Sequence, residues 1–269
     1  MAAESHLLDV ALPIALRAAE LVKLRRSEGV EIAASKSSAE DIVTLADRES
    51  ETLIRDALAE ARPDDGFFGE ESGAEKGTSG ITWVVDPIDG TVNYAYDIPA
   101  YAVSIAAVEG DPDPATWRAL AGVVANPAIG EVFTGAAGGG SFLNGTALRV
   151  RTGVELPLAL IGTGFSYSAE LRVKQAGVVQ GLIDQVRDIR RIGSAALDLC
   201  SLAAGRLDGY YERMLNPWDH AAGALIAREA GARVGGLDGA LESKDLLIAA
   251  EPALYVRLEA ALAALGVAD

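Results

Sequence analysis

The chain has one cysteine and two histidines. Cys200 therefore cannot close an intramolecular disulfide, and its setting in the helical-looking run SAALDLCSLAAG predicts a buried core thiol. With so few soft donors, no zinc cluster of histidine and cysteine can be assembled. Cationic residues are scarce too: 23 Lys and Arg against 39 Asp and Glu leave a net charge of −16, which opposes general electrostatic binding to nucleic acid or to an anionic bilayer. No apolar run reaches the ~18 residues of a membrane-spanning helix. The stretch MAAESHLL carries an acidic residue where a signal peptide carries basic ones, so a cytoplasmic location is expected. What the chain does have is apolar residues, 50% of the total, enough for a sizeable core in one large domain or two fused lobes.

Leu7, Ala11, Ile14, Ala18, Leu21 and Val22 share one helical face, with Pro13 expected to kink that helix or mark its start and Gly29 to end it. A short strand at 30–35 and a polar loop, Lys36-Ser37-Ser38 leading to Asp41, precede a second helix closed by Pro63, with Asp47 in its first turn. An aromatic strand at Phe67 and Phe68 runs into Glu70-Glu71-Ser72-Gly73. Strands at 101–108, 121–124 and 130–134, a turn at Asn126-Pro127 and a hairpin signal at Asn144-Gly145 predict a mainly antiparallel sheet. From about Arg149 to Leu156 the character changes. Strands at 158–166, 208–212 and 246–250 then alternate with helices at 169–186, 194–204 and 219–230, which favours a mixed or parallel sheet covered by helices. The expected organisation is an α+β lobe, residues 1–150, followed by an α/β lobe, residues 151–269.

The chemistry concentrates in residues 83–94, WVVDPIDGTVNY. An apolar, β-branched strand stops at Asp86, and Pro87 and Gly90 force a turn that brings Asp86 and Asp89 together. Carboxylates held that close repel unless a cation sits between them. If the next segment is a helix, the amides of Gly90 and Thr91 at its start face an anion. Asp47, Glu70-Glu71, Asp86 with Asp89, and Asp219 all punctuate strand ends or helix starts. Such an all-oxygen donor set suits Mg²⁺.

Glu70-Glu71-Ser72, DPIDGT (86–91) and WDHAAG (218–223), with SKSSAEDIVTLAD (35–47) and RIGSAALDL (191–199), resemble in order and spacing the signature motifs of the inositol monophosphatase family of Mg²⁺-dependent, lithium-sensitive phosphatases. The resemblance spans nearly the whole chain. It implies a layered αβαβα sandwich of the sugar-phosphatase type, with an antiparallel sheet in the first half, a mixed α/β lobe in the second and the site between them. It further implies two or three Mg²⁺ ions held by Glu70, Asp86, the carbonyl of Ile88, Asp89 and Asp219. Thr91 and Glu70 would position the attacking water, Asp47 would hydrogen-bond the Thr91 hydroxyl, and the amides of Gly90 and Thr91, beside Asp89, would hold the phosphate. Gly193, Ser194, Ala195 and Glu212 would line the pocket for the rest of the substrate.

The activity implied is hydrolysis of a small phosphorylated polyol, inositol monophosphate first. Histidinol phosphate, an amino alcohol whose ammonium Glu212 could meet, is the alternative, and a non-catalytic role beside a transcription complex is a third reading. A homodimer is expected. Trp83 and Trp218 are expected in the core, and His220 beside the site or on the helix surface rather than in the chemistry. Arg190-Arg191 is the one close basic pair near the substrate stretch.

Overall fold

A computed structural model of the protein describes residues 2–30, 32–35 and 42–268. Lys36, Ser37, Ser38 and Asp41 lie outside these residues. The first half runs α1 (Ala2–Glu28), β1 (Ile32–Ser35), β2 (Ile42–Thr44), α2 (Leu45–Ala61), β3 (Gly66–Gly69), β4 (Gly73–Glu75), β5 (Ile81–Asp89), α3 (Thr91–Ala95), β6 (Ala102–Glu109), β7 (Arg118–Asn126), β8 (Glu131–Ala136), β9 (Gly140–Leu143) and β10 (Thr146–Ala147). The second half runs β11 (Leu160–Thr163), α4 (Ala169–Leu182), β12 (Asp188–Arg190), α5 (Ala195–Ala203), β13 (Gly209–Glu212), α6 (Pro217–Glu229), β14 (Arg233–Gly235), β15 (Leu247–Ala250) and α7 (Pro252–Ala264). Helix α1 continues through Pro13 instead of starting there, and α7 and β12 were not anticipated from the sequence.

Two sheets organise the molecule. The larger has the order β10-β9-β8-β7-β6-β5-β3-β4 and is antiparallel except where β3 runs parallel to β5. The smaller, β12-β11-β13-β15-β14, is mixed, with β11 parallel to β12 and β13 while β15 runs against β13 and β14. Period-two alternation decides the layers. Trp83, Val85, Val103, Ile105, Ala107 and Val123 face α1 and α2, joining Leu7, Ile14, Ala18, Ile54 and Leu58. Their neighbours Val84, Ala106, Val108 and Val124 face the other way, onto α5 and α6, and the far side of those helices meets Tyr210, Leu247 and Ala249 of the smaller sheet. Ile161, Tyr211, Ile248 and Ala250 point outward to α4 and α7. The result is the layered αβαβα sandwich, its two central helices shared by both sheets. Each fully buried large side chain in these clusters contributes about 1.5–3 kcal/mol. Cys200 is buried among them, as expected.

Candidate active site

Strand β5 pairs with β6 as far as Asp86, and the register then slips before Asp89 meets Ala102. Pro87 cannot donate in a ladder, and the freed turn is closed by Ile88 N–H donating to Asp86 Oδ1 at 3.0 Å. Gly90 follows with φ +88°, and a Cβ there would lie 2.8 Å from the Ala100 carbonyl oxygen and 3.2 Å from that of Gly193. Backbone conformation and space both require glycine. Helix α3 opens on Thr91 but is barely longer than one turn, so its dipole is small.

Thr91 Oγ1 has Asp47 Oδ1 at 3.2 Å and the Ile88 carbonyl oxygen at 3.0 Å as acceptors. The other oxygen of Asp47 caps α2, accepting from Thr44 N–H at 2.8 Å and Thr44 Oγ1 at 2.5 Å. One carboxylate thus caps the start of a helix and faces the site. Burial pushes its pKa up to about 7, the Thr44 hydrogen bonds oppose this, and Glu70 and Glu71 add to it. Two further side chains of α2 reach the same region: Ser50 Oγ donates to the Pro87 carbonyl at 3.2 Å, and Glu51 Oε2 accepts from Glu71 N–H at 2.8 Å.

Glu70 leaves the end of β3 with its N–H bonded to the Val85 carbonyl at 3.2 Å, next to Asp86. Asp219 is the third residue of α6, where its Oδ2 accepts from Asn216 N–H at 2.7 Å in a capping box. Burial raises Asp86 well above the carboxylate range, followed by the charges of Glu70, Asp89 and Asp219. Asp219 is raised in the same way, by burial, then Glu70 and Asp89. The neighbours acting most strongly on these two groups are other carboxylates. Among the described residues no three acids, histidines or cysteines already stand as a metal-ligating cluster. The acids converge without closing into a cage.

The second half completes the site. Asp89 Oδ2 accepts from Ser194 Oγ at 2.5 Å and from Ala196 N–H at 2.8 Å at the start of α5. Burial lifts Asp89 to about 6, those hydrogen bonds and the Ala195 amide oppose it, and Glu70 adds to it. Asn93 Nδ2 lies 2.8 Å from the Ala100 carbonyl, 2.9 Å from that of Ile192 and 3.3 Å from that of Gly193, tying the two halves at Gly90. Tyr210 donates to Glu212 Oε2 at 2.5 Å. Glu212 is raised to about 7 by burial, with Tyr210 and the Arg191 charge opposing. A Cβ on Gly193 would fall 2.5 Å from Arg191 Nη1, so that guanidinium folds back over Gly193, while Arg190 is occupied by Asp188 at 2.6 Å. Asp198, on the inner face of α5, is 1% exposed, and its Oδ1 has no hydrogen-bond partner.

Asp47, Glu70, Asp86, Ile88, Asp89, Gly90, Thr91, Gly193, Ser194, Ala195 and Asp219 therefore meet at one place, and Glu212 borders it, its charge felt by Asp219. His220 is not on the helix surface: it is 1% exposed, and burial lowers its pKa to about 4, so the ring is neutral near pH 7. Trp218 packs edge-on against Phe68 at 5.1 Å, and Trp83 is buried with its Nε1 donating to Asp65 at 2.9 Å. Sequence reasoning missed Ser50, Glu51, Asn93, Asp198 and Tyr210. The signal for the first two was present, because polar residues on the apolar side of an amphipathic helix need partners.

A model of the inositol monophosphatase family matches residues 3–266. The chain is 48% identical over 248 residues to Inositol-1-monophosphatase SuhB of Mycobacterium tuberculosis (strain ATCC 25618 / H37Rv), covering 86% of this chain and 83% of that protein. It is 38% identical over 236 residues to Nus factor SuhB of Escherichia coli (strain K12), covering 87% and 86%. Among solved structures, the extragenic suppressor protein suhB from Bartonella henselae superposes with a TM-score of 0.87 at 35% identity, over 96% of this chain and 98% of that one.

Proposed function

The chain belongs to the inositol monophosphatase family and is a phosphatase, and from that premise we propose that it hydrolyses small phosphorylated polyols, inositol monophosphate first, with Mg²⁺. The observation that carries the reading is the meeting of Glu70, Asp86, Asp89 and Asp219, where the charge of Glu70 raises the other three, beside a threonine hydroxyl hydrogen-bonded to a buried aspartate. Hard oxygen donors whose mutual repulsion calls for positive charge fit a divalent cation such as Mg²⁺. Glu70, Asp86, the Ile88 carbonyl, Asp89 and Asp219 would hold two or three ions. When bound, Mg²⁺ acidifies a water and stabilises charge on the leaving oxygen.

The remaining work falls to the chain's own groups. Glu70 and the Thr91 oxygen orient the water. Asp47 accepts the Thr91 hydrogen bond, which turns the threonine lone pairs toward the incoming proton. The amides of Gly90 and Thr91 hold phosphate oxygens. Gly193, Ser194, Ala195 and Glu212 face the alcohol portion of the substrate. Arg191 favours a neutral polyol there over histidinol phosphate, because a substrate ammonium approaching Glu212 would also meet the guanidinium.

Phosphate release with Mg²⁺ is the test, from inositol 1-phosphate and histidinol phosphate in parallel, each with and without lithium. Faster, lithium-sensitive release from the inositol ester is expected; preference for histidinol phosphate would reassign the substrate, and no release from either would remove the reading. We also propose a homodimer, checked by light scattering, and a cytoplasmic location, checked by cell fractionation. A second reading, a binding role beside a transcription complex, is favoured by the likeness to the relative called Nus factor SuhB. Recovery of the same partners by the wild-type protein and by Asp86→Asn would support it, and recovery of none would end it.

A further inference from the structure

We infer that Glu51 is a positioning residue for the cation site, acting through the backbone turn that carries Glu70. The inner face of α2 sends three polar side chains toward the site, Asp47, Ser50 and Glu51, which are 1%, 0% and 3% exposed. Asp47 reaches Thr91, Ser50 reaches the Pro87 carbonyl, and Glu51 reaches the backbone just beyond β3. An apolar side chain in place of Glu51 would pack beside Ile54 and Leu58 without the desolvation cost of a carboxylate. The geometry shows what the carboxylate supplies.

Glu51 Oε2 accepts the Glu71 N–H at 2.8 Å, so a main-chain donor just beyond β3 is satisfied by a side chain of α2. On the other side of the same turn the Glu70 N–H is bonded to the Val85 carbonyl, one residue after Gly69 pairs with Val85 in the parallel ladder. The turn is therefore pinned from both sides, and Glu70 leaves β3 in one direction, toward Asp86. Gly69 is the counterpart of Glu51. A Cβ there would stand 2.4 Å from Glu51 Oε2 and 2.6 Å from the Phe67 ring, so only glycine lets the chain pass this close to the carboxylate. Glu51 orients Glu70 through the main chain, and this inference rests on the reading of Glu70 as a cation ligand.

Equilibrium Mn²⁺ binding by electron paramagnetic resonance, the Mg²⁺ concentration for half-maximal phosphate release, and thermal unfolding are to be measured on Glu51→Gln, Glu51→Leu, Gly69→Ala and Glu70→Gln. The amide oxygen of Glu51→Gln still accepts the Glu71 N–H, so this variant binds Mn²⁺ within about twofold of wild type, whereas Glu51→Leu and Gly69→Ala bind about tenfold more weakly with KM at saturating metal unchanged. Wild-type Mn²⁺ affinity in Glu51→Leu overturns the inference. So does a Glu51→Gln variant as weak as Glu51→Leu, since the charge and not the hydrogen bond would then be responsible. Should Glu51→Leu fail to fold, Gly69→Ala decides the matter, because it displaces the same carboxylate without removing it, and wild-type affinity there overturns the inference equally. Glu70→Gln separates the two levels: wild-type Mn²⁺ affinity in that variant defeats the cation reading itself, while weak binding there beside wild-type binding in Glu51→Leu removes only the role of Glu51.

Discussion

On the α2 side of the site, Asp47, Ser50 and Glu51 are almost inaccessible, and each is bonded to a different segment of the turn-and-strand framework. On the β13 side, Glu212 is half-buried and steadied by the Tyr210 hydroxyl, while Arg191 is exposed. The first wall is fixed by backbone and buried hydrogen bonds, so a change there disturbs whatever sits at Glu70, Asp86 and Thr91. The second is made of side-chain ends that can be exchanged without moving a strand. A phosphatase built this way can keep its phosphate chemistry constant while its preference among alcohols drifts.

The sharpest way to break this comparison is Asp86→Asn. With Asp86 in the ligand role proposed for it, its loss should exceed the about 100-fold effect at the upper end for outer partners of a metal site, with the circular dichroism spectrum retained. An unchanged rate at saturating Mg²⁺ would refute the ligand assignment. Thr91→Ala comes next, with kcat lower by about 100-fold and Mn²⁺ affinity intact, in keeping with loss of a proton-handling group. Coincident loss of metal binding would place Thr91 in a different role. On the opposite wall the effects are smaller and fall on selectivity. Arg191→Gln should raise the histidinol phosphate to inositol 1-phosphate ratio of kcat/KM by up to about fivefold, the scale of an exposed charge, with the rate on a small aryl phosphate unchanged.

The smallest effect on turnover is expected at the far end of β5. Burial alone would raise the Asp65 carboxyl, but hydrogen bonds from Arg62, Ser79 and Trp83 overcome it and leave the group below its ordinary value. A carboxyl lowered on folding contributes stability that is present above its unfolded pKa of about 4 and lost as pH falls through the folded value. Asp65→Ala should leave kcat/KM unchanged. It should cost about 1–3 kcal/mol, because Trp83 Nε1 is left buried without an acceptor, and it should flatten the fall in melting temperature below pH about 4. A fall in kcat/KM would mean that the two ends of β5 are coupled.

Much of this was readable in the chain itself, for a local reason. Asp86, Pro87, Asp89 and Gly90 sit within five residues, and their backbone requirements are properties of the residue types. Asp219 could be placed at a helix start because Pro217 and the acid occupy the first turn. Glu51 was harder, because its partner is a main-chain N–H 20 residues away, and nothing about residue 71 advertises that bond. The parallel pairing of β3 with β5 was hidden for the same reason, and α7 because an alanine-rich segment without a sharp polar face shows little periodicity. His220 sits beside an acid in sequence yet is buried against Trp117, a contact set by how α6 packs between the sheets.

The bond between Asp89 and the start of α5 makes the enzyme a witness to its own assembly. Asp89 belongs to the first half of the chain, and Ser194 and Ala196 belong to the second. With Asp89 in the role proposed for it, a chain that has made its large sheet but not yet docked the smaller one carries most of the acids and no working site. Activity regained during refolding should then follow the last docking step and lag behind the fluorescence of Trp83, and a ribosome-bound first half should be silent.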